Sequence, residues 1–142
     1  MTSQNPNLEY LFQLKTKLSS LSELNTDNLA KILNFSLKEI ISSNNYFDIF
    51  LGVSSNLITQ AELRINKNDD RKKILILEIN PSENISEETV KNEYSKTVLN
   101  AHSPNDPTRE SLNITESWGK ISFGFNENGV LINVIFDTTN LL

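Results

Sequence analysis

Asn128-Gly129, set between two runs of alternating apolar residues, most narrows what this chain can fold into. Glycine takes a positive φ without steric cost and asparagine tolerates it, so the pair favours a tight turn between antiparallel strands. Ahead of the turn, Ile121, Phe123 and Phe125 fall on odd positions; behind it, Val130 to Phe136 reads as a returning strand. Further upstream, Leu112, Ile114 and Trp118 fall on even positions. The phase changes after Gly119, which implies a bulge or a break into two strands.

The rest of the chain supplies helices for such a sheet to pack against. Residues 8–24 carry an apolar stripe through Leu11, Leu14, Leu18 and Leu21, extended by Leu8 and Leu24. A second helix capped by Asn25 or Thr26 is expected to run to about Ser43, burying Leu29, Ile32, Leu33, Leu37, Ile40 and Ile41. The short link between the two favours an antiparallel helical hairpin. Tyr46 to Val53 fits a helical turn or a strand equally. Leu57 to Ile65 alternates as a half-buried strand. Lys67 to Lys73 reads as a charged loop, and Ile74 to Ile79, apolar on both faces except at Glu78, as a central strand ended by Pro81. Ser86 suits a helix N-cap, with Glu87 and Glu88 in the favourable first turn and Ile85 and Val90 at staple positions. Val90, Tyr94 and Val98 give this third helix a narrow apolar face. Asn100 to Glu110, with Pro104 and Pro107, reads as a loop.

The expected fold is therefore one α+β domain over residues 1–142. It has an N-terminal helical hairpin, a mostly antiparallel sheet of four or five strands and one further helix, with the helices on one face. A mixed sheet is the alternative, if the helix after Ile79 acts as a crossover. No internal repeat or low-complexity segment interrupts the 142 residues, a length sufficient for a real core.

Composition excludes several chemistries. Cysteine is absent, so neither a disulfide framework nor a thiolate metal site can form. A lone histidine, His102, cannot build a multi-histidine metal site. The four glycines are too scattered for a phosphate-cradling loop. No EF-hand spacing occurs. No cofactor or metal is expected. The N-terminal residues lack a charged, apolar leader pattern, and no uncharged apolar run approaches the ~20 residues of a membrane helix. A cytoplasmic protein is expected, and the sequons at Asn34, Asn84 and Asn113 are read as products of a chain with 20 asparagines. With a net charge of −5, phosphate-driven nucleic-acid binding is not expected.

That charge is unevenly distributed. Met1 to Asn66 holds 6 acids and 5 bases, and Lys67 to Asn80 holds 3 and 4. Pro81 to Leu142 holds 9 acids and 4 bases, a balance of −5 that equals the whole chain's. Glu83, Glu87, Glu88 and Glu93 gather around the third helix, and Asp106, Glu110 and Glu116 follow in the next loop and strand. An asymmetric charge bears on association rather than fold. These seven acids are the candidate partner-binding residues, with Tyr94 as a candidate anchor. Asp69-Asp70, beside Arg71, Lys72 and Lys73, reads as a solvated turn.

The stretch Gly119-Lys120-Ile121-Ser122-Phe123-Gly124-Phe125, then Asn128-Gly129-Val130-Leu131, then Val134-Ile135-Phe136-Asp137, resembles the closing hairpin of small cytosolic bacterial immunity proteins. Those proteins protect against contact-dependent growth inhibition and polymorphic toxins. The resemblance implies a small, acidic, non-enzymatic α/β protein that binds a basic, nuclease-type toxin domain and occludes its active site or substrate groove. It transfers no individual residue role. The partner expected on this reading is a basic protein, with neither nucleic acid nor membrane, and the chain is a monomer or homodimer. A second expectation is an acidic secretion chaperone, a dimer that holds an effector segment, with Tyr46 to Val53 as its apolar surface. A third, an enzyme, would rest on His102, Ser103, Asp106 and Arg109, which share one stretch; proximity in sequence is poor grounds for a site whose members must meet in space.

Overall fold

The computed structural model describes residues 6–40, 45–93, 99–103 and 106–140, with side chains for 9–40, 45–92 and 111–140. Among the described residues, three α-helices and eight strands form an α+β fold. They are α1 (Pro6–Leu18), α2 (Thr26–Leu33), β1 (Lys38–Glu39), β2 (Phe47–Val53), β3 (Ile58–Asn66), β4 (Lys73–Ile79), α3 (Glu87–Glu93), β5 (Leu99–Ser103), β6 (Asp106–Glu116), β7 (Gly119–Phe125) and β8 (Leu131–Asp137). Short 3-10 turns sit at Leu21–Glu23 and Pro81–Glu83.

All strands belong to one sheet in the order β1-β2-β3-β4-β8-β7-β6-β5, and every pairing is antiparallel. Two four-stranded meanders, β1–β4 and β5–β8, join where β4 meets β8 in the register Ile76↔Ile135 and Leu77↔Val134. Seven strands are of ordinary length and β1 is a two-residue edge, so the expected four or five is an undercount. The segment bearing α3 leads from β4 at the sheet's centre to β5 at its far edge, and among the described residues no parallel pair occurs.

The undercount has local causes. The helix expected to reach Ser43 stops at Leu33, because Asn34 takes the left-handed conformation (φ 66°) and its N–H closes on the Ala30 carbonyl at 2.8 Å. Its start is as expected, with Asn25 and Asn28 exchanging side-chain-to-backbone bonds at 2.8 and 3.2 Å. Leu37 and Ile40 fit helical spacing, yet they flank the edge strand that pairs with Phe50 and Leu51; Ile41 lies outside the described residues. Gly52 lets this segment approach, since a Cβ there would overlap the Ser36 carbonyl oxygen. Tyr46 to Val53 resolves as strand over Phe47–Val53.

The Asn100 to Glu110 loop is the larger correction, because Leu99–Ser103 and Asp106–Glu116 pair as a hairpin. Pro107 falls where β6 is not yet paired with β7, whose register begins at Ser111↔Gly124, so its missing N–H leaves no gap in that ladder.

The phase change at Gly119 is a break into two strands. Ser117 and Trp118 form a two-residue turn between Glu116 and Gly119. Across such a turn even positions face odd ones, so Leu112 pairs with Phe123 and Ile114 with Ile121, and all four are buried on one face. Trp118 leaves the strand pattern and stacks on Phe136 at 6.3 Å between ring centroids. The Asn128-Gly129 turn is slightly longer than the tightest hairpin: Gly129 N–H donates to the Asn126 carbonyl at 2.9 Å, and Gly129 sits at φ 73°. The Asn126 side chain accepts from the N–H groups of Asn128 and Val130 at 2.9 and 3.0 Å.

The core lies between the helices and one sheet face. Leu11, Leu14, Leu18, Leu29 and Leu33 from the helices join Leu63, Leu75, Leu77, Phe123 and Phe136 from the strands in one buried cluster. The opposite sheet face is open: Ile74, Ile76 and Ile135 are only half-buried and Glu78 is exposed. This explains why Ile74 to Ile79 reads as apolar on both faces, as β4 is the sheet's centre. Lys73 belongs to this strand rather than to the preceding loop.

Candidate functional site

One end of the sheet gathers the features that bear on binding. It is the end where β4 finishes, and Pro81–Glu83, the start of α3 and the Asn128-Gly129 turn meet there. Their meeting has a backbone cause. Ser86 bridges to Val130, Leu131 N–H donates to the Ile85 carbonyl at 2.7 Å, and Glu87 N–H donates to the Gly129 carbonyl at 2.8 Å. Residues 85–87 thus add a short bridge beside the hairpin turn. Ser86 caps the helix, accepting from Thr89 N–H at 3.2 Å, while Ile85 and Val90 are buried at the staple positions. Glu87 and Glu88 are thereby held beside Gly129, with exposed Glu127 on the same turn.

The expected acids divide. Glu83, Glu87 and Glu88 share this end. Glu87 is half-buried and pairs with Lys91 at 3.9 Å, whereas Glu88 is exposed. Glu93 closes α3, and Asp106 and Glu110 lie on the part of β6 that precedes its pairing with β7; the side chains of these three are outside the described set. Tyr94 is outside the described residues. Glu116 sits at the opposite end, since it pairs with Gly119 where β4 begins, about 20 Å away along a seven-residue strand. It makes an ion pair with Lys15 of α1 at 3.3 Å.

A cavity of about 490 Å³ opens at the acidic end. Tyr10 of α1, Phe35 and Asn34 after α2, and the Ser54–Asn56 turn between β2 and β3 form its walls, and Glu83 is the one charged lining residue among those described. Leu33, Leu57 and Ile58 supply apolar surface. Phe35 packs against the core, and burial pushes the Tyr10 hydroxyl's pKa up, so the phenol stays neutral. Sequence reading could not find these walls, because three distant segments contribute them and none carries a motif.

A second cavity of about 460 Å³ lies near the other end, beside Asn25, Phe50, Arg71 and Lys73. Glu23 and Asp70 line it together with Arg71 and Lys73, so its charge selects no ligand sign. In the exposed turn closed by Lys72 N–H on the Asp69 carbonyl, Asp69 accepts two bonds from the Arg71 guanidinium at 3.1 and 3.0 Å, and these hold its carboxyl below the usual range. Lys73 is 4 % exposed, with its stem in the core and its ammonium donating to the Ser22 carbonyl at 2.8 Å. Buried Thr138 accepts from Lys73 N–H at 2.9 Å and donates to the Arg71 carbonyl at 2.6 Å. Together they fasten the end of β8 to the start of β4.

Desolvation lowers the Lys73 pKa from the ordinary 10.5, against smaller opposing effects of Asp70 and Asp69. A lysine with a depressed folded pKa loses its proton earlier when folded than when unfolded. Between the two values the unfolded chain binds more protons, so stability rises with pH. Wild type is therefore expected to gain stability relative to Lys73→Met as pH rises toward the ordinary lysine value of 10.5, a comparison in which the other titrating groups cancel. Urea unfolding of both proteins measures the difference, and a pH-independent difference would contradict the assignment.

His102 pairs with Glu110 in the β5–β6 ladder rather than standing in a loop. Among the described residues, no group of three metal-ligating side chains occurs, and no helix is long and apolar enough to cross a membrane. Compared with known proteins, the chain matches no family model, no curated protein and no solved structure.

Proposed function

We propose that the protein is an acidic binding module for a basic protein partner, and that it acts as an immunity protein occluding a nuclease-type bacterial toxin domain. The supporting observation is that Glu83, Glu87 and Glu88 share one end of the sheet with a cavity whose one charged lining residue, among those described, is Glu83. A local negative potential speeds encounter with a positive surface and disfavours acidic competitors. The cavity supplies what the acids lack, a concave place for an anchoring side chain, and such anchors carry most of an interface's energy. The inhibitor role comes from the resemblance of Gly119 to Asp137 to immunity-protein hairpins. No catalysis is assigned to the chain in this reading. The test is co-expression with the product of the neighbouring reading frame. Growth restored by this chain supports the reading; a toxic neighbour that still kills removes it.

One observation favours a secretion chaperone instead. Tyr46 and Val53, at the two ends of the β2 region, are 72 % and 74 % exposed, and Phe47, Ile49 and Leu51 are half-buried on the same outer register as Val53. An apolar strip of that kind suits a dimer or an extended segment. Size-exclusion chromatography with light scattering separates the cases: an obligate dimer favours the chaperone, whereas a monomer favours the inhibitor.

A further inference from the structure

We propose that the cavity between α1, the end of α2 and the β2–β3 turn receives an arginine side chain presented by the protein partner. The proposal rests on the reading of a basic protein partner and names the group that this partner inserts. Four features of the cavity select the ligand. Among the described residues its one charged lining residue is an acid, Glu83, so a cation is favoured and an anion disfavoured. Two aromatic residues, Tyr10 and Phe35, line it, and a planar guanidinium stacks on aromatic rings. Asn34 and the Ser54–Asn56 turn offer side-chain oxygens, and a guanidinium carries five N–H donors to reach them. Leu33, Leu57 and Ile58 give apolar surface for the three-methylene stem. Lysine could satisfy the charge but not the planar stacking or the number of acceptors.

The walls are fixed by the fold. Asn34 is locked as the left-handed cap of α2, and Phe35 packs against the core. The β2–β3 turn is pinned by Ser54 N–H donating to the Thr59 carbonyl at 3.0 Å and by Asn80 N–H donating to the Leu57 carbonyl at 2.8 Å. The second of these bonds also ties the turn to the segment carrying Glu83. The cavity is therefore open to an incoming side chain without rearrangement, which limits the entropy lost on binding.

The test is a two-dimensional NMR titration of the full chain with Nα-acetyl-arginine N-methylamide. The neutral, isosteric citrulline compound and the lysine compound serve as comparators. Saturable shifts are expected at Tyr10, Asn34, Phe35, Ser54 to Ile58 and Glu83. The citrulline compound and the Glu83→Gln variant are each expected to weaken binding about tenfold, the scale of a lost charge-assisted contact. The variant's own spectrum reports whether it is folded; if it is not, the citrulline comparison on wild type decides. Absence of saturable shifts up to about 50 mM probe, weaker than any useful anchor, would overturn the proposal. So would shifts centred elsewhere, or equal binding of the citrulline or lysine compound. Because the probe contains no protein, its failure removes the cavity's role and leaves the protection experiment unaffected. Failure of protection likewise leaves the probe result standing.

Discussion

Truncating Leu77 to alanine is expected to lower the unfolding free energy by about 3 kcal/mol, the middle of the range for a buried leucine that leaves a cavity. Leu77 is 0 % exposed at the centre of β4, between Ala61 of β3 and Val134 of β8. It sits on the seam between the two meanders, where neither half can close over the space it leaves. In urea the midpoint should fall by about 1.5–2 M. The neighbour Ile76 projects to the open face and is half-buried, so Ile76→Ala is expected to cost about 1 kcal/mol, nearer the transfer term alone. Equal losses at the two positions would contradict the assignment of the core to one face.

The second large effect concerns association. Replacing Glu83, Glu87 and Glu88 together with lysine changes the charge at this end of the sheet by six units. Complex formation with the proposed basic partner should then slow by about 10- to 100-fold at low salt, with the difference shrinking as salt screens the field. Glu116→Lys provides the control. It has the same change in sign at one residue, but it lies at the other end of the sheet in a pair with Lys15. Stopped-flow association at two ionic strengths measures both. A rate unaffected by the triple reversal would place the interface elsewhere.

The parts of this fold legible in the sequence are those governed by local chemistry. The Asn25 cap, the Ser86 cap with its buried Ile85 and Val90, the Asn128-Gly129 turn and the parity change at Gly119 each depend on neighbours within a few residues. The errors occur where two local signals conflict or a distant partner decides. Leu37 and Ile40 have helical spacing, but Asn34 ends the helix first by adopting a conformation that few other residues accept. Pro107 and the polar residues of Asn100 to Ser103 and Asp106 to Glu110 imitate a loop, whereas the antiparallel pairing of β5 with β6 makes them strand. Leu57 to Ile65 alternates by sequence, yet the register shift between Ile58 and Gln60 buries Ile58 and not Thr59. Lys73 looks like loop charge because its burial depends on Ser22 and Thr138, 51 and 65 residues away.

The candidate site follows the same rule. The acids are visible in the sequence as a count, and Glu83, Glu87 and Glu88 fall at one end of the sheet. Their relation to the cavity was hidden, because its other walls come from α1, the α2 cap and a turn with no distinguishing composition. Glu116 looked like a member of the set only while its strand's length and direction were unknown.

The central claim is that the acidic end of the sheet, rather than its open apolar face, meets the partner. Hydrogen–deuterium exchange of the chain with and without the proposed basic protein partner tests this directly. Protection is predicted in Asn34 and Phe35, in the Ser54–Ile58 segment, and from Glu83 through α3, with exchange in Phe47 to Val53 unchanged. Protection confined to Phe47–Val53 and the outer positions of β4 and β8, with none at Glu83 to Glu88, would contradict the account.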